Sequence, residues 1–181
     1  WKNIFNCLPD CICYVEFLYL LSWANHLKNI MNPPSNQLRA IITGASSGIG
    51  KATALAFAES GIELALVSRS EAKLQALVLE IEQKTQTKAK AYPLDLAVVD
   101  RVAQAIAAIC GSFGPIDILV NNAGMGYTNL LKNTTLVDWQ KILELNLTSV
   151  FQCVQGVLPQ MRDRSSGTII NVASIAASNA F

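Results

Sequence analysis

The stretch Thr43-Gly44-Ala45-Ser46-Ser47-Gly48-Ile49-Gly50 decides how the rest of this chain is read, because it joins a short apolar run to an amphipathic segment. Residues 38–43, before the turn, have the composition of a buried strand. Residues 49–60, after it, predict a helix with small residues on one face. A glycine-rich turn between a strand and a helix is typical of a phosphate-binding unit.

Each glycine of this turn has a task that a side chain would obstruct. Gly44 permits the sharp exit from the strand, Gly48 lets a phosphate approach the backbone, and Gly50 lets the helix pack closely. The first amide groups of the helix offer N–H donors and the positive end of its dipole to a pyrophosphate. Ser46 and Ser47 add further donors. We therefore predict a nucleotide-binding turn, with an ordinary tight turn as the alternative.

Apolar runs and helical spacing alternate along the rest of the chain. Further strands are predicted at residues 62–67, 89–94, 116–120 and 168–172, and further helices at residues 71–85, 98–113 and 135–162. Strands that are apolar on both faces and alternate with helices form a parallel sheet covered on both sides. The sequence therefore predicts an α/β fold with a doubly wound parallel sheet.

Composition excludes several classes of protein. The 181 residues are 51% hydrophobic and 15% charged, which excludes a disordered chain, and their net charge of +1 with scattered basic residues predicts no nucleic-acid partner. Five cysteines make no disulfide framework, so we interpret Cys110 and Cys153 as reduced core residues.

The first thirty residues do not match the rest. The chain starts at Trp1, and a polar lead-in from Met31 precedes the first strand. We expect residues 1–30 to be an extension that is not native, with the domain at residues 31–181.

Two functional interpretations of that extension are disfavoured. Asp10 and Glu16 interrupt an apolar stretch that is shorter than the ~20 residues a membrane span needs. The spacing of Cys7, Cys11 and Cys13 matches no zinc pattern. We therefore expect a cytoplasmic protein with no membrane role and no metal.

Polar residues follow the predicted strands. Asp95 follows the third, Asn121-Asn122-Ala123-Gly124 follows the fourth, Asn146 lies in the long helix, and Asn171-Val172-Ala173-Ser174 leaves the fifth. With the glycine turn, and in this order, these residues resemble the short-chain dehydrogenase/reductase family from about Leu38 to the end. The resemblance implies a Rossmann-type sheet of order 3-2-1-4-5, incomplete at the C-terminus, with a nicotinamide dinucleotide lying across the strand ends.

The resemblance also implies roles for single residues. Asp95, with Leu96 beside it, is similar to the acid that contacts adenine, although a helix cap is an alternative role. Asn146 is similar to the residue that bends the long helix and frees a carbonyl for the proton relay, and Ser174 to the serine that stabilises charge on the substrate oxygen. The implied cofactor-binding residues are Gly44, Ala45, Ser46, Ser47, Gly48, Ile49, Gly50, Ser68, Arg69, Asp95, Leu96, Asn122, Ala123 and Gly124.

The end of the second strand indicates the cofactor. Ser68 stands where NAD-binding relatives usually have an acid, and Arg69 can pair with a 2′-phosphate. NADP(H) is therefore favoured over NAD(H), although Ser47 stands where the family's other basic residue would be.

Two functions follow from this. In the first, the parent protein is an oxidoreductase that transfers a hydride between NADP(H) and a small-molecule carbonyl or secondary alcohol. In the second, the chain is an inactive nucleotide-binding or partner-binding module, because no tyrosine of a Tyr-x-x-x-Lys motif follows Ser174. The family also implies a homo-oligomer. One apolar helical stripe could serve a core or an interface: Trp139, Leu143, Leu147, Phe151 and Val154.

Overall fold

The computed structural model describes residues 37–174, and residues 37–171 belong to one compact unit, whereas 172–174 belong to a second. The sequence-based predictions for residues 1–30 and for the start at Met31 lie outside the described residues. The strands are β1 (Arg39–Thr43), β2 (Glu63–Ser68), β3 (Ala89–Pro93), β4 (Ile118–Asn121) and β5 (Thr168–Asn171). The helices are α1 (Gly48–Glu59), α2 (Glu71–Lys84), α3 (Val102–Phe113), α4 (Leu136–Leu143) and α5 (Ser149–Asp163).

The five strands form one parallel sheet in the order β3-β2-β1-β4-β5. Ile41 of β1 lies opposite Ala65 of β2 on one side and Leu119 of β4 on the other. The predicted α/β fold and strand order are confirmed. The order reverses at β1, so β1 and β4 diverge into their helices at the point where such sheets bind ligands.

Alternate residues of the central strands supply the core on the two faces of the sheet. On one face Ile41 and Leu119 pack with Ile106 of α3 and Val157 of α5, all of them buried. Helices α1 and α2 pack against β1, β2 and β3. Among residues 37–174 no helix has the length and apolar character needed to cross a bilayer.

The two thiols within the described residues are free, as predicted. Cys153 is buried, and burial raises the pKa of its thiol to about 12. Cys110 is half-buried, and its pKa is raised mainly for the same reason. Both side chains therefore stay protonated and serve as small apolar groups.

The outer strands differ from the expectation of strands that are apolar on both faces. In β3 only Ala89 is buried, and Lys90 and Pro93 are exposed. None of the residues of β5 is fully buried. Within residues 37–174 both strands lie at an edge of the sheet, where a side chain has a neighbouring strand on one side only.

The long helix predicted at residues 135–162 is interrupted. A π-helical turn, Glu144–Thr148, separates α4 from α5, and Asn146 lies in its middle. A capping box between Thr135 and Asp138 begins α4, because the hydroxyl and the carboxylate each accept the other residue's backbone N–H. A 3-10 turn, Val99–Arg101, precedes α3, where the prediction had helix from residue 98.

Gly156 sets the distance between α5 and α3. A Cβ atom there would lie 2.6 Å from Cβ of Ile106 and 2.9 Å from the carbonyl oxygen of Ala103. We expect Gly156→Ala to lower the free energy of unfolding by about 1–3 kcal/mol because the two helices must separate. Gly111→Ala is the matched control, since a Cβ there meets nothing within 4 Å, and helix propensity raises stability by about 0.5–1 kcal/mol. Equal urea midpoints for the two variants would contradict this.

Glu80 joins α1 to α2 and makes stability depend on acidity. Lys51 Nζ lies 2.8 Å from Oε2 and Lys84 Nζ 2.6 Å from Oε1. Hydrogen bonds from Lys51 and then Lys84 lower the pKa of Glu80 from 4.5 to about 2. The ionised carboxylate therefore stabilises the fold above pH about 4.5, and this contribution is lost as pH falls towards about 2. We expect Glu80→Gln to flatten the acid dependence of the unfolding midpoint in this window, whereas Glu82→Gln, on the same helix, leaves it unchanged.

Candidate functional site

The Thr43 hydroxyl connects the ends of β1 and β4. Its oxygen donates to the carbonyl of Val120 at 3.3 Å and accepts the backbone N–H groups of Asn122 at 2.9 Å and Ala123 at 3.0 Å. Thr43 is 1% exposed, so these bonds have no competition from water. The first residues after the two strands are therefore held in one fixed arrangement.

Asn122 holds the glycine turn in place. Its Nδ2 donates to the carbonyl oxygens of Thr43 at 3.0 Å and Gly44 at 3.3 Å. Gly44 has a φ of 66°, and a Cβ at Gly50 would lie 2.4 Å from the Gly44 oxygen and 2.5 Å from the Asn122 amide. The close approach proposed for Gly50 is therefore to the turn itself and to Asn122, which the sequence did not indicate.

The start of α1 presents unpaired backbone donors. The helix begins at Gly48, its N-cap Ser47 makes no side-chain cap bond, and its first turn holds no acid. Gly48 has a φ of 54° and open space where its Cβ would be. The amide groups of the first turn thus lack intrahelical acceptors and have no local carboxylate. This arrangement is suited to an anion such as a pyrophosphate.

A cleft of about 420 Å³ lies along the carboxyl ends of the strands, a size typical of a small-molecule site. It brings together ten of the fourteen predicted cofactor residues: Gly44, Ser46, Ser47, Ser68, Arg69, Asp95, Leu96, Asn122, Ala123 and Gly124. The other four, Ala45, Gly48, Ile49 and Gly50, do not line it. Ala45 is fully buried and its N–H donates to the carbonyl of Val67 at 3.3 Å, so it supports the turn from beneath.

The cleft also has lining residues that the sequence analysis missed: Ser70, Lys73, Leu94 and Leu145. Ser70 is the N-cap of α2, and Lys73 lies in the first turn of that helix. The position of Lys73, four residues after Arg69 and just inside the predicted helix, was the available signal. The hydroxyl of Ser68 is buried and has no hydrogen-bond partner among residues 37–174.

Asp95 lies at the cleft and does not cap a helix, since Val98 and Arg101 are the N-caps of the 3-10 turn and of α3 that follow it. Its Oδ1 accepts the N–H of Ala97 at 3.0 Å, which closes the turn after β3. Asp95 also lines the cleft and is exposed, with the buried Leu96 beside it. The carboxylate is therefore held in position at the cleft wall.

Asn146 is paired with the loop after β4. Its Oδ1 accepts the N–H of Met125 at 2.9 Å and its Nδ2 donates to the carbonyl of Met125 at 2.9 Å. A Cβ at Gly124 would lie 3.0 Å from Oδ1 of Asn146. The π-turn and the cleft wall are thus joined by two hydrogen bonds, for which the side-chain amide supplies both the donor and the acceptor.

The rest of that loop is fixed at its far end by Asp138. Tyr127 Oη donates to Asp138 Oδ2 at 3.2 Å, and the Thr135 hydroxyl does so at 2.7 Å. These donors lower the pKa of the Asp138 carboxyl, and the Thr135 hydroxyl makes the largest contribution. The loop after β4 is therefore held by hydrogen bonds at two places, at Met125 by Asn146 and at the start of α4 by Asp138.

Ser174, the predicted catalytic serine, lies three residues beyond the end of β5 and outside the compact unit that holds the cleft. Its predicted role therefore rests on its place in the sequence after Asn171. Asn171 itself accepts a hydrogen bond from Asn121 Nδ2 at 2.9 Å, which joins the ends of β4 and β5.

Comparison with known proteins gives a consistent result. The family profile described as short chain dehydrogenase matches residues 39–181. The chain is 41% identical over 137 residues to a 3-oxoacyl-(acyl-carrier-protein) reductase of Staphylococcus epidermidis, across 75% of this chain and 56% of the relative. It is 43% identical over 138 residues to a reductase of the same description from Synechocystis, across 76% of this chain and 56% of the relative. The chain thus spans about half the length of the curated relatives it matches.

Solved structures agree with the fold. A metagenomic short-chain oxidoreductase in complex with NADP has a TM-score of 0.75 at 31% identity, over 80% of this chain and 65% of the other. An L-sorbose reductase from Gluconobacter frateurii, complexed with NADPH and L-sorbose, has a TM-score of 0.72 at 33% identity, over 78% of this chain and 54% of the other.

Removing the Thr43 hydroxyl should loosen the cleft. We expect Thr43→Val, which keeps the shape, to lower the free energy of unfolding by about 2–4 kcal/mol, because two N–H groups lose their acceptor. Thr43→Ser keeps the hydroxyl and should cost about 1 kcal/mol, for the lost methyl group. Denaturant unfolding measures both, and equal losses would contradict the role given to the hydroxyl.

Proposed function

This chain belongs to the short-chain dehydrogenase family, and from that premise we propose that it is the nucleotide-binding part of an NADP(H)-dependent oxidoreductase. The substrate class is a small-molecule carbonyl or secondary alcohol. The observation that carries this proposal is the cleft at the strand ends. The glycine turn lines it, the unpaired amides of α1 follow that turn, and the end of β2 has no carboxylate.

The residues of the cleft fit a dinucleotide. The first amides of α1 and the hydroxyls of Ser46 and Ser47 suit a pyrophosphate, and Asp95 and Leu96 suit an adenine. The buried, unpartnered Ser68 hydroxyl suits a polar group on the adenosine ribose. When bound, the nicotinamide supplies or accepts a hydride.

NADP(H) is preferred over NAD(H) in this proposal. Ser68 and Arg69 leave no carboxylate at the end of β2 to repel a 2′-phosphate, and Arg69 supplies a cation there. The metagenomic oxidoreductase was solved in complex with NADP and the L-sorbose reductase with NADPH, which supports the same choice.

The chemical roles fall to two residues of this chain. Asn146 fixes the cleft wall through Met125 and, by family resemblance, frees a helix carbonyl for a water of the proton relay. Ser174 donates a hydrogen bond that stabilises developing charge on the substrate oxygen. The proton itself needs a Tyr-x-x-x-Lys motif, and none of the four tyrosines of this chain is followed by Lys four places later.

Two relatives reduce 3-oxoacyl groups according to their names, which makes a 3-oxoacyl thioester the first substrate to test. The alternative is an inactive nucleotide-binding or partner-binding module. A chain extended to the length of the relatives separates the two: NADPH-dependent reduction of acetoacetyl thioester or another carbonyl supports the enzyme, and binding without turnover supports the module.

Homo-oligomerisation and a cytoplasmic location stay predictions. The exposed Trp139, Leu147 and Phe151 on α4, the π-turn and α5 support the first, because side chains of this size are usually covered.

Cofactor preference can be measured on the chain as it is. We expect calorimetric titration to give a dissociation constant for NADPH about tenfold below that for NADH, a difference of about 1.4 kcal/mol. Ser68→Asp should reverse the order, because its carboxylate repels a 2′-phosphate and accepts from a ribose hydroxyl. Ser166→Asp adds the same charge outside the cleft and should leave the order unchanged. Tighter binding of NADH by the parent chain would refute the NADP(H) assignment.

A further inference from the structure

The amino end of α2 lies at the cleft, apart from the glycine turn, and Ser70 and Lys73 line the cleft there. The helix runs for 14 residues, and its N-cap Ser70 accepts the N–H of Lys73 in a long bond of 3.5 Å. The amides of Glu71 and Ala72, the first two of the helix, have no intrahelical acceptor. They supply the positive end of a helix dipole next to the cleft.

A second observation indicates that this end of the cleft takes a ligand. Ser68, the last residue of β2, is 8% exposed and lines the cleft, and in the described part of the chain its hydroxyl has no hydrogen-bond partner. A buried hydroxyl without a partner costs stability unless something else satisfies it. The missing partner is therefore expected from a molecule in the cleft.

The charges at this end select an anion. Arg69 and Lys73 both line the cleft, and neither makes an ion pair within residues 37–174. The acid that lines the same cleft is Asp95, and one of its oxygens is engaged with Ala97. Glu71, next to Ser70, is exposed and does not line the cleft.

We propose that Lys73 is a specificity-determining residue, which pairs with the 2′-phosphate of the bound dinucleotide while the Ser68 hydroxyl satisfies its hydrogen bond on the same group. Arg69 and Lys73 hold the phosphate from either side of Ser70. The long Ser70 cap bond lets that hydroxyl turn to the ligand at little cost. This inference rests on the proposed NADP(H) function and adds to it a residue whose type and position that function did not require.

Two small probes isolate the phosphate, and neither needs catalysis. Adenosine 2′,5′-bisphosphate carries the 2′-phosphate, and adenosine 5′-monophosphate is the same molecule without it. We expect Lys73→Gln to weaken calorimetric binding of the bisphosphate about fivefold to tenfold and to leave binding of the monophosphate unchanged. Lys73→Arg, which keeps the positive charge, should bind the bisphosphate as tightly as the parent chain does. Lys84→Gln, on the same helix with the same loss of charge, should bind both probes as the parent chain does.

Ser68→Ala gives an independent readout. We expect the unliganded variant to melt at the same or a higher temperature than the parent, because the unpartnered hydroxyl is gone, and to show a smaller upward shift with the bisphosphate. A lower melting temperature without ligand would overturn the role given to Ser68.

Failure of this inference differs from failure of the proposed function. If the parent chain prefers the bisphosphate and Lys73→Gln weakens both probes equally, or neither, the role of Lys73 is wrong and NADP(H) specificity stands on Arg69. If the parent chain binds the two probes equally well, the NADP(H) assignment fails and the Lys73 proposal fails with it.

Discussion

The buried hydroxyl of Thr43 is the interaction on which the rest of the site depends. One oxygen atom donates to Val120 and accepts from Asn122 and Ala123, so the ends of β1 and β4 are tied together at the point where the sheet order reverses. Parallel strands otherwise diverge into their helices there, and a crevice opens between them. Because the oxygen is shielded from water, water does not compete for these three hydrogen bonds. The ends of β1 and β4 are therefore held in place without a ligand.

The hydrogen bonds of Thr43 also place Asn122, which holds the glycine turn in its conformation. Asn122 bonds the carbonyls of Thr43 and Gly44, and Gly50 lies so close to both Gly44 and Asn122 that any side chain would push α1 away from them. The start of α1 therefore lies directly after Gly44, Ser46 and Ser47, the residues of the turn that line the cleft. A ligand that binds at a prearranged set of donors requires little reorganisation of the protein, which favours affinity.

A second connection runs from the cleft to the outer surface of the molecule through Asn146. Its amide holds the backbone of Met125 by two hydrogen bonds, and the same residue lies within the π-turn between α4 and α5. π-turns inside α-helices frequently occur at functional sites, because they cost stability unless a specific contact maintains them. On the outside of the same helical segment Leu147 and Phe151 are exposed. The loop that lines the cleft and the helical segment with the apolar outer face are thus joined by the hydrogen bonds between Asn146 and Met125.

The sequence by itself determined the elements and their order. Alternation of apolar runs with helical spacing, the glycine turn at 43–50 and the residue types at each strand end are local properties, and they predicted the sheet and ten of the cleft residues. Only the tertiary structure decided which groups meet. Asn146 and Met125, 21 residues apart, form hydrogen bonds because the fold brings the end of β4 beside the π-turn. The strands β3 and β5, which composition alone predicts to be buried, are partly exposed because they lie at the edges of the described sheet. The sequence placed Lys73 four residues after Arg69 at the start of a helix, but only the structure showed that this end of α2 lies at the cleft.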